Sequence, residues 1–208
     1  MSVDYGKARR VLARRDPVLR DLIRQHGACG LANVRHADPF AALVHAILSQ
    51  QLSSKAAATI IRRFNGLFGG RSPQPADVVA VSAGRLREAG VSGQKARYLH
   101  DLCARILDGS LPLHALDGMN DEAVVATLTQ VTGIGQWTAE MFLIFRLRRP
   151  DVLPVGDLGI VKAVQRAYRL RKVPTADRLI RIGETWRPYR SVACWYLWAS
   201  LDNAPLKD

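Results

Sequence analysis

The chain has 208 residues, 48% hydrophobic and 23% charged, which is enough for a sizeable core and unlike a disordered protein. Thirty Lys and Arg against eighteen Asp and Glu leave a net charge of +12, which favours a polyanion such as nucleic acid or an anionic membrane and also suits a plain cationic surface. The three cysteines, Cys29, Cys103 and Cys194, are scattered and odd in number, which excludes a four-thiolate cluster within this chain, argues against a disulfide framework or zinc site, and fits a reducing cytoplasm.

In chain order, the N-terminal residues lack the apolar run of a signal peptide, and no later stretch is long enough to span a membrane. Asp38-Pro39 reads as a helix cap followed by a first-turn proline, ahead of Phe40, Leu43, Val44, Ile47 and Leu48 at helical spacing. Ser53 or Ser54 can cap a second helix carrying Ala57, Ile60, Ile61 and Phe64, which stops in the glycines at 66–70. Ser72-Pro-Gln-Pro reads as a connection. Ser82 opens a short helix ending at Gly90, and Ser92 opens another with Leu99, Cys103, Ile106 and Leu107 on one side. Asn120 caps a helix that runs to about Gln130, and Val152-Leu-Pro-Val looks like a loop. Asp157 stands just before a further helical run of Leu158, Ile160, Val161, Val164 and Tyr168. Strict alternation is absent, so the expected fold class is all-α, with no internal repeat.

The most informative segment is Val131-Thr132-Gly133-Ile134-Gly135-Gln136-Trp137-Thr138-Ala139. Two glycines bracket one apolar residue between two helices. Glycine permits positive φ and close backbone approach. Such a turn presents bare amide N–H groups at a helix start, where the dipole also favours an anion, and so it can grip a phosphate without reading base sequence. A tight helix–helix packing turn uses the same residues.

This segment resembles the hairpin of the helix-hairpin-helix DNA glycosylases, in the 3-methyladenine DNA glycosylase II branch. The resemblance continues through Pro150-Asp-Val-Leu-Pro-Val-Gly156-Asp157, similar to the family's Gly/Pro-rich loop and aspartate. Upstream, Ala46-Ile-Leu-Ser-Gln50-Gln51-Leu-Ser53 is similar to the segment bearing a DNA-inserting residue. Downstream, Glu184-Thr-Trp186-Arg-Pro-Tyr-Arg190-Ser191 and Trp198 are similar to the C-terminal helices. The match implies a monofunctional enzyme that flips an alkylated base (3-methyladenine or 7-methylguanine type) from duplex DNA and hydrolyses its N-glycosidic bond, leaving an abasic site.

The resemblance makes Asp157 the catalytic carboxylate, stabilising positive charge on the sugar and orienting or deprotonating a water; taken alone, it is also a good helix cap. Trp137 occupies the position where related bifunctional enzymes carry a lysine nucleophile, and Lys162 and Lys172 do not match that position. Trp137, Trp198, Met141, Leu158 and Phe40 are the expected pocket residues, the indoles suiting a cationic purine. Met141 and Leu158 replace pocket tyrosines of better-known members, and Gly156 replaces a second acid, changes that bear on the range of lesions. Thr132, Gly133, Ile134, Gly135 and Thr138 form the expected DNA-binding hairpin. Gln51 or Gln50, with Gln51 favoured, and Val91 from the opposite side are the expected inserting residues. Lys95, Arg190, Ser191 and the Arg146–Arg149 cluster are the expected phosphate contacts.

The expected organisation is one glycosylase domain over 1–208 in two helical lobes with the active-site cleft between them. One lobe covers about 40–150 and includes the hairpin at 131–138; the other joins about 1–38 to 158–208. Too few residues precede Pro39 for the N-terminal mixed α/β domain of longer members. No organic cofactor or metal is required, although hairpin carbonyls of the family can hold a monovalent cation. The expected partner is double-stranded DNA, not a membrane, and the expected state is a cytoplasmic monomer. The competing readings are a bifunctional glycosylase/lyase, a non-catalytic hairpin module that only binds DNA, and a structural or partner-binding helical protein.

Overall fold

The computed structural model describes residues 3–33 and 38–201, and the regular structure among them is entirely helical. In chain order the α-helices are α1 (Tyr5–Arg15), α2 (Pro17–His26), α3 (Pro39–Ser49), α4 (Ser54–Gly66), α5 (Pro75–Ala80), α6 (Ala83–Glu88), α7 (Gly93–Leu107), α8 (Asp121–Leu128), α9 (Gln136–Met141), α10 (Leu158–Ala167), α11 (Ala176–Gly183) and α12 (Arg190–Ala199). No helix among the described residues is long and apolar enough to cross a membrane.

Most helices start where the sequence supplies a side-chain oxygen for their first orphan N–H groups. Asp4, Asp16, Asp38, Ser53, Ser82, Ser92, Asn120, Asp157 and Thr175 all accept from a first-turn amide. Ser53 is therefore the cap of α4. Two short helices lie outside the sequence-based expectation. The connection after Ser72 runs directly into α5, where Asp77 reaches back to the Gln74 N–H, and Thr175 caps α11. Beyond α9 the chain passes into a π-helical turn, Phe142–Arg146.

The chain divides into two compact units, one made of Met1–Arg35 with Leu143–Asp208 and the other of His36–Phe142. In the first unit α12 is buried nearly all round and packs against α1, α2 and α10. Leu12, Leu19, Ile160, Val164, Trp186 and Tyr196 fill that core. Asp16 ties it together: one carboxylate oxygen caps α2 through the Val18 and Leu19 amides, while the other accepts the Tyr168 hydroxyl at 2.5 Å and the Trp186 indole N–H at 3.0 Å. A buried carboxylate is tolerated because its oxygens are satisfied in this way. Burial and the neighbouring Asp16 carboxylate push the Tyr168 phenol well above its ordinary range.

In the second unit α7 is the central element, with α3, α5 and α6 packed on it, α4 against α3, and α8 beside α9. Leu43, Ile47, Leu48, Phe64, Leu86, Leu99, Leu102 and Leu116 are fully enclosed there. Each such side chain contributes about 1.5–3 kcal/mol on burial. The apolar periodicities of α3, α4 and α7 thus meet in one core.

Candidate active site and nucleic-acid interface

The hairpin of the second unit joins α8 to α9. Gly133 adopts φ +86°, and a Cβ there would stand 2.2 Å from the Tyr98 ring, so conformation and space both demand glycine. The turn is tied down internally: the Thr132 N–H donates to Asp101 at 2.7 Å, and the Gln50 side-chain amide donates to the Gly133 carbonyl at 2.8 Å. Gly135, the N-cap of α9, differs. It has ordinary extended φ, nothing lies within 4 Å of where its Cβ would be, and no side chain caps the helix. The start of α9 is therefore an exposed, uncapped helix end that suits an external anion.

In the first unit, Asp157 is the N-cap of α10 and only 8% exposed. Its Oδ1 accepts the Ile160 N–H at 2.7 Å and the Trp198 indole N–H at 3.0 Å. Two N–H donors thus satisfy Oδ1 in its enclosed position at the helix start. The Trp198 ring stacks on Phe145 with centroids 5.7 Å apart. Gly159 lets the indole approach: a Cβ there would come within 2.9 Å of the Asp157 carboxylate and 3.2 Å of the indole. A carboxylate held this firmly suits stabilisation of a developing cation, because little reorganisation accompanies the reaction.

A family model for HhH-GPD superfamily base excision DNA repair proteins matches residues 44–188, from α3 to the loop before α12. The chain belongs to this superfamily. DNA-3-methyladenine glycosylase 1 of Schizosaccharomyces pombe is 36% identical over 77% of this chain and 72% of its own length. The solved structure of the Schizosaccharomyces pombe 3-methyladenine DNA glycosylase in complex with abasic DNA matches with a TM-score of 0.83 and 32% identity, over 97% of this chain and all of that one. A DNA-3-methyladenine glycosidase from Bacillus halodurans also gives 0.83, with 38% identity over 96% of this chain and 91% of that one.

In this HhH-GPD chain the expected site residues are placed unequally. Trp137 is 48% exposed in the first turn of α9, with Thr132 and Gly135 exposed nearby, whereas Ile134 and Thr138 are buried. Leu158 is 72% exposed beside Asp157, Met141 is half-buried, and Phe40 is enclosed in the α3 core. Trp198 is also enclosed, and its indole serves the Asp157 carboxylate instead of presenting an open stacking face. Gln51 is exposed at the end of α3 with φ +58°, while Gln50 is spent on the hairpin.

Four expected contact residues are engaged elsewhere. Val91 is 1% exposed, packed in the core ahead of α7, so it is not placed to insert into DNA. Lys95 donates its ammonium to the carbonyls of Leu48 at 2.7 Å and Gln50 at 2.9 Å and thereby ties down the end of α3 in place of a phosphate; burial holds its pKa below the ordinary 10.5. Arg190 grips both carboxylate oxygens of Asp151, at 2.8 and 3.1 Å, so an acid already neutralises its charge. Ser191 is buried, accepting the Val152 N–H and donating to the Arg149 carbonyl, a brace for the loop that leads to Asp157. Sequence reasoning missed Tyr98 and Asp101, which lie on a different helix from the hairpin they hold and carry no local signal of that role.

Proposed function

We propose that this chain is a DNA glycosylase that excises alkylated bases of the 3-methyladenine and 7-methylguanine type from duplex DNA, leaving an abasic site and an uncut strand. The observation that carries this reading is the enclosed carboxylate of Asp157, fixed by the Ile160 and Trp198 N–H groups, in a chain whose hairpin leaves a helix start uncapped. The target nucleotide leaves the stack, and Gln51, exposed on its corner, fills the gap. The bond from C1′ to the base nitrogen then breaks, its electron pair leaves with the base, and a cationic alkylated purine departs neutral. Asp157 stabilises the positive charge on the sugar, and a water oxygen bonds to C1′ as its proton is lost to solvent or to the carboxylate. The half-exposed Trp137 offers an indole face to a cationic base, which stacking stabilises by about 1–3 kcal/mol.

Strand scission would need an amine nucleophile at C1′. The hairpin-helix position that would carry it holds Trp137, so water is the nucleophile in this reading. The reading invokes no organic cofactor. The test is single-turnover release from duplexes carrying a panel of alkylated bases, for wild type and Asp157→Asn, with duplex affinity measured in parallel. Release that disappears in the variant while affinity survives is the expected result. Strand breaks without alkali would make the enzyme a lyase as well. Binding with no release from any lesion would leave a hairpin module that only holds DNA.

A further inference from the structure

α7 presents Lys95, Tyr98 and Asp101 at successive three-residue steps, a spacing that places them along one helical stripe. Each meets a part of the DNA-binding apparatus that is remote in sequence. Lys95 uses two of its three donors on the Leu48 and Gln50 carbonyls, groups that the end of α3 would otherwise leave without helical partners. Tyr98 fills the space left by the missing side chain of Gly133. Asp101 accepts the Thr132 amide, and Arg105, one turn on, pairs with Asp101 at 3.2 Å. Gln50 closes the ring, because its backbone carbonyl is held by Lys95 and its side chain holds the Gly133 carbonyl. The next residue, Gln51, takes a left-handed φ of +58°, which a residue with a side chain adopts only where its surroundings impose it.

We propose that this α7 face locks the Gln51 corner and the hairpin into one preformed unit, with Lys95 and Gln50 as positioning residues for extrusion of the target nucleotide. The inference rests on the glycosylase reading. Its logic is that a side chain filling a gap in the stack does so efficiently only when its backbone is rigid relative to the element that grips the strand. A loose corner leaves hairpin gripping intact and slows extrusion. The benefit is greatest where the base is hardest to extrude, because a base with no partner leaves the stack at lower cost.

The test uses the full chain and two duplexes, one with 7-methylguanine opposite cytosine and one with the same lesion opposite an abasic site. Lys95→Met and Gln50→Ala are expected to slow single-turnover release from the paired duplex about tenfold, and by less than about threefold from the unpaired one. Duplex affinity is expected to stay within about threefold, and Lys95→Arg, which keeps two donors, to recover most of the rate. Equal losses on both duplexes, or losses that track affinity, would assign the two residues to folding alone and overturn the proposal. No loss on either duplex would overturn it too. If Lys95→Met melts early, Gln50→Ala decides alone, since it removes one side-chain hydrogen bond and leaves the Lys95 contacts in place. Release from neither duplex by wild type would instead strike the glycosylase reading, and the proposal would fall with it.

Discussion

The start of α9 and the start of α10 pose one electrostatic problem and solve it in opposite ways. Both are helix N-termini that follow a glycine-containing loop, and both attract negative charge. At α10 the chain supplies the anion itself: Asp157 caps the helix, is enclosed, and is held by an indole. At α9 the cap is Gly135, exposed and without a side-chain acceptor. The difference teaches what each end is for. In the proposed glycosylase reading, the enclosed carboxylate at α10 serves the chemistry and the bare end at α9 receives a charge that arrives from outside.

That contrast breaks most decisively at Asp157. Asp157→Asn keeps an oxygen that can cap the helix and accept the Trp198 indole N–H but removes the charge, so base release should fall about a thousandfold while stability moves by no more than about 0.5 kcal/mol. Equal loss of both, read by single-turnover kinetics and thermal melting, would reduce Asp157 to a cap. Gly133→Ala comes next. The methyl group meets the Tyr98 ring at a backbone conformation hostile to alanine, so the fold should lose about 1–3 kcal/mol in denaturant melts, with duplex affinity falling alongside. Trp198→Phe keeps an aromatic ring for Phe145 but drops the N–H to Asp157; release should slow about tenfold with affinity unchanged.

Gly135→Ala sharpens the comparison from the other side. Its surroundings are open, so the cost is confined to exchanging glycine for alanine, a poorer capping residue, and stability should fall by roughly 0.5–1 kcal/mol. A phosphate approaching the helix start would meet the new methyl group, and duplex affinity should drop a few-fold when measured well below the slightly lowered melting temperature. The smallest effect concerns acid. Burial raises the Asp101 carboxyl, but the Thr132 amide and hydroxyl and Arg105 outweigh it and leave it below its ordinary 3.8. A carboxylate depressed in the fold stabilises at every pH above its unfolded value, and that contribution is lost as pH falls below about 4. Acid unfolding of Asp101→Asn should therefore depend less on pH in that window than acid unfolding of wild type.

What could be read from sequence was what is local. Capping residues, the apolar stripes of α3, α4 and α7, the Gly133–Gly135 turn and an aspartate before a helix all depend on neighbours within a few positions, so they located the helices, the hairpin and the candidate carboxylate. The superfamily followed from their order. Partnerships across the chain were not legible. Lys95 and Arg190 read as phosphate ligands because a cation on a helix looks the same from sequence whether it faces solvent, a carbonyl or an acid; the Leu48 and Asp151 oxygens that claim them lie far away in the chain. Val91 and Ser191 stood next to candidate contacts, yet burial is a property of the packed core that no local pattern revealed.

The unit that carries Asp157 is assembled from two stretches that flank the hairpin unit, and Asp16 in the first holds Tyr168 and Trp186 in the second. Synthesis is directional. The hairpin unit is an uninterrupted insertion that can condense while the remainder is still being made. α1 and α2 emerge before the hairpin unit and must wait for α10 and α12 to leave the ribosome before their shared core can close. In the proposed reading, the hairpin that grips DNA is thus complete before the carboxylate that serves base release is enclosed.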